Sequence, residues 1–278
     1  MICAMFLFTS MDAAVKYLVK HYPVVQVTWG RYFFHMVLLA MVLARRVPSL
    51  VRTPNLNLQI GRSILLLVTT GLFFTGLRFV PLADASAVMM LTPLIVTALS
   101  VPLLREPVGP RRWLGVGIGF CGALIIIRPT GDVVQLASLF PLAAAGTYAF
   151  YQISTRYLGG SDPVLTTLLY SAASGAVITS MAVPFFWVWP TPGDWLLLIY
   201  TGLCGGFGHF ALIKAFTLAP AAAITPFTYT NMIWATAYGF FIYGDFPDRW
   251  TVSGAVLVVA SGLYVFFREQ RVKTVRKN

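Results

Sequence analysis

Charge is what this 278-residue chain has least of: Asp, Glu, Lys and Arg make up 10% of it, against 58% apolar residues. Water-soluble domains carry roughly a quarter charged residues, so an ordinary soluble domain is excluded. Acidic residues are scarcest, 9 against 20 Lys and Arg, for a formal charge of +11. An excess of that sign suits nucleic acid or a membrane surface, and the apolar content selects the membrane. The three cysteines, Cys3, Cys121 and Cys204, sit singly inside apolar runs, without the paired spacings of a disulfide framework or zinc site. The three histidines have no metal-ligand spacing, and no nucleophile motif is present. Neither a cofactor nor a metal is expected. No phosphate-binding loop occurs, so ATP is not expected to drive the protein. No basic stretch precedes the first apolar run, which Asp12 and Lys16 interrupt, so it is expected to persist as a span rather than be cleaved.

A membrane helix takes ~20 mostly apolar residues. Ten candidates follow, at residues 2–20, 24–44, 61–80, 83–104, 112–128, 134–156, 163–188, 195–218, 221–243 and 250–267. Turn chemistry separates them: Pro23, Pro81, Arg105-Glu106-Pro107, Arg128-Pro129, Asp162-Pro163, Pro190, Pro192, Pro220 and Asp245 to Pro247. The short connections imply antiparallel neighbours. Lys and Arg of short loops favour the cytoplasmic side. The side carrying the termini receives Arg45, Arg46, Arg52, Arg62, Arg105, Arg111, Arg112, Arg156, Lys214, Arg268, Arg271, Lys273, Arg276 and Lys277, fourteen in all; the other receives Lys16, Lys20, Arg78, Arg128 and Arg249. Both termini are therefore expected in the cytoplasm, with the basic tail 268–278 resting on the membrane surface rather than on nucleic acid.

The chain also resembles itself. A gap-free shift of 139 residues lays Pro81 on Pro220, Ala83 on Ala222, Glu106 on Asp245, Gly115 on Gly254 and Leu124 on Leu263. A shift of 140 lays Lys16-Tyr17 on Arg156-Tyr157 and Pro23 on Pro163. The coincidences fall on helix ends and turns rather than on interchangeable Leu or Val. Two five-span halves, 1–130 and 131–267, would insert with opposite orientation, as inverted repeats that open one site alternately to either side.

These features resemble the drug/metabolite transporter superfamily, specifically its EamA-type ten-helix members. The matching stretches are Met11-Asp12-Ala13 through Lys16, Pro23 to Arg31, Leu77 through Ala85, Arg105-Glu106-Pro107 through Gly115, Ile127-Arg128-Pro129, and Leu218-Ala219-Pro220 through Gly244-Asp245. The resemblance implies an exporter or importer of amino acids, S-adenosylmethionine, riboflavin or another small metabolite. In many members Gly precedes the acidic residue of the turn after the fourth or ninth span. Gly244-Asp245 keeps this pattern, while Arg105 departs from it before Glu106, a loop detail without expected consequence.

An ionisable side chain within a span is costly and is a functional candidate by default. Asp12, Arg31, His35 and His209 lie deep. Asp12 and Arg31 both fall ~11 Å from the outer end of their spans, close enough in depth to pair, either as a structural ion pair or as a charge site for a zwitterionic substrate or a proton. His209 follows Gly205, Gly206 and Gly208 and is the natural proton-sensitive group; packing is its plainer role, and His35 reads as structural. Those glycines admit close helix approach. Gly117 to Gly122 matches the dinucleotide fingerprint in form, but no strand precedes it; Gly115 and Gly119 read instead as helix-packing positions.

Spans four and nine carry Met89, Met90, Thr92 and Pro93, and Thr225, Pro226, Thr228, Tyr229, Thr230, Asn231 and Trp234, midway across. Proline frees a carbonyl, which hydrocarbon tolerates only facing protein or water. A central cavity is expected there, with Tyr229 and Trp234 against an apolar ligand face and Tyr148, Tyr151 and Gln152 of span six completing the wall; interhelical packing is the alternative. Arg78 and Asp84 bracket Pro81 as an outer gate or as helix-end caps, with Lys214 near the inner counterpart. Together these readings give an all-α, ten-span secondary transporter in the inner membrane, not an enzyme. Its partners are a small-molecule substrate, the bilayer and coupled protons or an exchanged solute, in a monomer or homodimer that binds no nucleic acid. A membrane-embedded enzyme would need a cluster of catalytic groups at one depth, and a channel a continuous polar lining.

Overall fold

The computed structural model describes residues 1–43, 50–104, 109–128, 136–158, 162–218 and 225–275. The turns at Arg105-Glu106-Pro107, Pro129 and Pro220, together with Arg45 and Arg46, lie outside these residues. The described chain is all-helical: α1 (Ile2–His21), α2 (Val24–Leu43), α3 (Leu56–Phe79), α4 (Leu82–Met89), α5 (Thr92–Leu104), α6 (Pro110–Ile127), α7 (Leu139–Leu158), α8 (Val164–Ala182), α9 (Pro192–Leu218), α10 (Thr230–Tyr243) and α11 (Arg249–Val275), with 3-10 turns at Val183–Phe186 and Thr225–Tyr229.

The helix ends fall where the turn residues require. α1 stops at Tyr22 and α3 at Val80, each an extended residue before a proline. Pro110 occupies the first turn of α6, where its missing N–H costs nothing. α10 ends on Gly244 at φ 68, a left-handed cap that a side chain would strain, with Gly244 N bonded to the Phe240 carbonyl and Asp245 N to that of Gly239.

Among the described residues, six helical stretches are long and apolar enough to cross a membrane: Ile2–His21, Leu56–Phe79, Leu82–Leu103, Val164–Phe186, Pro192–Leu212 and Arg249–Phe267, with Trp113–Ile127 a shorter apolar helix. α2 and α7, each of 20 residues, are not among them. The exterior is apolar over wide areas, including Leu114, Met181, Phe185, Trp189 and Phe241, as a lipid-facing surface requires. The protein is thus a multi-pass membrane protein. Cys3 and Cys121 lie on that exterior and Cys204 inside the bundle.

Glycines set the closest crossing, of α6 with α11. A Cβ on Gly122 would stand 2.8 Å from the Gly254 carbonyl oxygen, and one on Gly115 would strike Val265. The glycines near His209 act alike, with a Cβ on Gly206 meeting Leu38 and one on Gly208 meeting Phe8. The small residues are used for helix approach, as their spacing implied.

Candidate functional site

The bundle's polar centre is assembled from α1, α2, α3, α7 and α9. On α3, Gln59, Arg62, Ser63, Leu66, Thr69, Thr70 and Phe73 recur at three- and four-residue intervals and are all buried, so one stripe of the helix faces inward. Its Thr70 hydroxyl accepts from Arg31 Nη1 of α2 at 2.6 Å and lies 3.0 Å from the Tyr32 hydroxyl. The Arg31 guanidinium also sits 5.2 Å from the Tyr32 ring centre and 5.6 Å from that of Phe74.

Asp12 is buried on α1 beneath that guanidinium's field, yet the expected direct pair does not form. Among the described residues the ion pairs within 4.0 Å are Lys16 with Asp245 and Arg128 with Asp248. Arg31 turns toward Thr70, and Gly205 on α9 leaves room beside its Nε.

His209 lies between two aromatic neighbours, edge-on to Phe8 at 4.9 Å and parallel to His35 at 6.0 Å. His35 Nε2 is buried without a hydrogen-bond partner. His35 therefore belongs to the polar centre rather than to an apolar face alone.

Toward the end of the bundle where α3 begins, Arg62 is 1% exposed. Sequence reasoning counted it as a loop charge, because α3 was expected to start near residue 61; the helix starts at Leu56 and carries Arg62 inside. Its Nη2 donates to the Thr167 carbonyl at 2.7 Å and to Ser171 Oγ at 2.6 Å, and its Nη1 to Thr155 Oγ1 at 3.2 Å, while Nε has no partner. The guanidinium lies 4.9 Å over the Tyr151 ring, and Tyr151 stacks on Tyr148 at 5.5 Å and 11°. Gln152 touches the Tyr148 hydroxyl. A ladder results: Arg62, Tyr151, Tyr148 and then Arg31, whose field reaches the Tyr148 hydroxyl. Tyr148, Tyr151, Gln152 and His209 are half-buried.

Both expected interruptions are present. The fourth segment breaks between α4 and α5 at Met90-Leu91, where Leu91 N bonds Val88 O and Thr92 Oγ1 donates to the Met89 carbonyl at 2.8 Å. Met90 and Thr92 are buried in this repair rather than lining open space. The ninth begins as the 3-10 turn and becomes α10 at Thr230. Its side chains disperse. The Tyr229 hydroxyl lies against Gly262 of α11, Asn231 Nδ2 donates to Thr9 Oγ1 at 3.0 Å, and Trp234 packs edge-on to Phe6 at 5.2 Å with its Nε1 unpartnered. Thr228 is half-buried. Tyr229 and Trp234 therefore do not share one face with the tyrosine ladder.

The end of the bundle opposite Arg62 is tied by charge. Lys16, expected at the surface, is 4% exposed; its Nζ donates to the Val80 carbonyl at 2.8 Å, lies 3.9 Å from Asp245 and faces the Tyr243 ring at 5.5 Å. Tyr243 in turn donates to the Ala13 carbonyl at 2.5 Å. Asp84 stands within the field of Lys16, Arg128 and Asp248. Arg78 is exposed, outside this cluster, and Lys214 is exposed near the far end of α9. Sequence reasoning missed Arg62, Gln59 and Lys16 as interior groups; the stripe of buried polar residues along α3 was the available signal.

Comparison with known proteins identifies the family. The model of the EamA-like transporter family matches residues 1–128 and again 135–267. An S-adenosylmethionine uptake transporter of Rickettsia prowazekii (strain Madrid E) is 26% identical over 260 residues, covering 94% of this chain and 88% of that protein. A riboflavin transporter of Vibrio cholerae is 30% identical over 223 residues, covering 77% and 72% respectively. A crystal structure with 18% identity superposes with a TM-score of 0.66 over 97% of this chain and 98% of the other. A bundle whose buried polar centre is gathered from five helices, matched twice along its length by one family model, belongs to the EamA-like transporter family.

Proposed function

We propose that the chain is a ten-span secondary transporter of the inner membrane, with both termini cytoplasmic, that moves a small organic metabolite by alternating access of two inverted repeats, residues 1–130 and 131–267, followed by the basic tail 268–278. The observation that carries the site is the convergence of Asp12, Arg31, His209, Tyr148, Tyr151 and Arg62 from five helices in an otherwise apolar bundle. Buried charge without a structural counter-charge is costly, and a transported ligand gives it a use.

Several features support the repeats. The shift of 139 lays Met90 on Tyr229, so both helix breaks fall at equivalent places. The contacts between helices come in matching sets: α3 with α7 and α1 with α9, α3 with α8 and α2 with α9, α5 with α7 and α1 with α10. α2 with α8 and α6 with α11 map onto themselves. At the last crossing, Gly115 beside Ser261 and Gly254 beside Gly122 are equivalent pairs. The doubled family match falls on nearly the same halves.

The substrate class is amino-acid-like or cofactor-like, in keeping with relatives named for S-adenosylmethionine and riboflavin. Asp12, Arg31, Tyr148, Tyr151, Gln152 and His209 form the binding centre. Met90, Thr92, Thr228, Tyr229, Asn231 and Trp234 act where the two broken segments hinge. Lys16 with Asp245 closes one end, assisted by Asp84; Arg78 and Lys214 lie at the mouths. Purified protein in proteoliposomes is expected to show saturable counterflow for at least one of riboflavin, S-adenosylmethionine or an amino acid, abolished in Arg31→Ala. Linear, non-saturable flux would point to a channel, and intact flux in both Asp12→Asn and Arg31→Ala would remove these residues from the site.

A further inference from the structure

The polar centre is chemically lopsided. Arg31 and Arg62 are 8% and 1% exposed, and among the described residues neither has a carboxylate within 4.0 Å. Their hydrogen bonds go to neutral oxygens: Thr70 for Arg31; Thr155, Ser171 and the Thr167 carbonyl for Arg62. Asp12 acts on Arg31 from beyond 4.0 Å, and Asp162, on the Arg62 side, is taken up by Thr53 Oγ1 at 2.7 Å and Gln59 Nε2 at 2.9 Å, so among the described residues neither guanidinium has a direct anionic contact. Beyond neutral oxygens they meet aromatic rings, at 4.9 Å for Tyr151 beside Arg62 and 5.2 and 5.6 Å for Tyr32 and Phe74 beside Arg31. Cation–aromatic contact recovers part of the desolvation cost of a guanidinium, but a counter-anion recovers far more. Arg62 Nε retains an N–H with no partner, and His35 Nε2 is buried and likewise unpartnered.

Beside Arg62, Tyr148 and Tyr151 form a parallel pair, and the field of Arg31 reaches the Tyr148 hydroxyl. Parallel phenols extend a flat surface on which a ring can be laid, and flat ring stacking is tolerant of ring identity. Arg62 lies 4.9 Å over the Tyr151 ring, so the platform is pre-organised before a ligand arrives.

We propose that the substrate of this centre is a planar-ring metabolite bearing an anionic group, a carboxylate or a phosphate, with Arg31 taking the anion and the Tyr148–Tyr151 pair taking the ring. The proposal rests on the transporter reading and deepens it: it sets the sign of charge that the site prefers. Arg31 is the binding residue. Arg62 is a positioning residue, acting through Tyr151 and through the field it adds.

Two ligand pairs with the same ring and different charge test it by equilibrium binding to the purified full-length protein: flavin mononucleotide against riboflavin, and indole-3-acetate against indole-3-ethanol. The anion of at least one pair is expected to bind roughly tenfold or more tightly than its neutral partner, the size of effect a charge-assisted hydrogen bond supplies. Arg31→Gln removes that preference and Arg31→Lys keeps most of it. Tyr151→Ala weakens both members of the pair alike, leaving their ratio unchanged. Equal or tighter binding of the neutral member in both pairs, or tight binding of cationic S-adenosylmethionine with none of the four, overturns the proposal. Counterflow separates the two readings. Saturable riboflavin or S-adenosylmethionine flux without anion preference leaves the transporter standing and defeats the charge assignment; Arg31-dependent anion binding without flux does the reverse. Each variant is first shown to elute as a single species on size exclusion, and Arg31→Lys serves as the folded reference should Arg31→Gln aggregate.

Discussion

At the Lys16 end of the bundle, cations stand opposite carboxylates: Lys16 faces Asp245, and Arg128 meets Asp248 at 2.5 Å. In the centre, Arg31 and Arg62 stand opposite hydroxyls and rings. Both regions are built from the same scarce residue types, yet they use them differently. A paired charge fixes one helix end against another and has nothing left to offer a ligand. A buried charge that keeps free N–H groups among neutral partners holds an electrostatic demand that a solute can meet, and the solute's departure restores it. On this contrast rests the proposed division into a latch and a binding centre.

The largest effect is expected where that demand is removed. Arg31→Gln should lower counterflow by roughly ten- to a hundredfold, the loss of one charge-assisted contact to a ligand, while Arg31→Lys retains a measurable part; wild-type flux in Arg31→Gln would break the distinction between the two regions. A smaller but clear change is expected at the latch. In a background with Cys3 and Cys121 replaced by serine, Cys204, buried inside the bundle near Tyr200, reports on opening. Lys16→Gln should raise its rate of thiol modification several-fold, because Asp245 and the Val80 carbonyl lose their shared partner; Arg128→Gln should leave that rate unchanged. If both variants behave alike, Lys16 is not a latch.

The remaining tests concern stability. Asn231→Ala removes one interhelical hydrogen bond to Thr9 and should cost about 0.6 kcal/mol, the average for such bonds in membrane bundles, read as a small drop in thermal midpoint. The smallest effect belongs to Arg128 and Asp248, whose side chains are substantially exposed; such pairs contribute about 0.2–1 kcal/mol and are weakened by salt. Burial raises the Asp248 pKa, but the Thr251 backbone N–H and Arg128 outweigh it and hold the carboxyl below the usual range. The pair's contribution is therefore present above the unfolded carboxylate pKa of about 3.9 and lost as pH falls through the lower folded-state value. The stability gap between wild type and Arg128→Gln should be widest near neutrality and close at the acidic limit. A gap that widens on acidification would reverse the assignment.

Much of the framework was legible in the sequence. Pro23, Pro81 and Gly244 end helices because proline and left-handed glycine impose local geometry whatever surrounds them. The breaks near Met90 and Tyr229 followed from proline chemistry in the same way, and the packing roles of Gly115 and Gly119 from helix spacing. The site was less legible. Arg62 passed for a loop charge because an apolar-run boundary at residue 61 hides a helix that began at Leu56; only the three- and four-residue recurrence of Gln59, Arg62, Ser63, Thr69 and Thr70 betrays its inward stripe. Tyr229 and Trp234 looked like ligand-facing aromatics, but their rings point to Gly262 and Phe6, since depth along a helix says nothing of the direction a side chain takes around it.

That distinction divides what each level of description decides. Composition, run length and turn residues determined the membrane class and the helix ends at Pro23, Pro81 and Gly244, since each depends on local backbone chemistry or on transfer to hydrocarbon. Which charges are paired was decided by the tertiary structure alone. Asp12 and Arg31 share a depth, but α9 places Gly205 beside Arg31, and α3 offers Thr70 at 2.6 Å, so the guanidinium turns away from the carboxylate. Pairing depends on the rotation of each helix about its axis, and that rotation is fixed by contacts with helices far away in sequence.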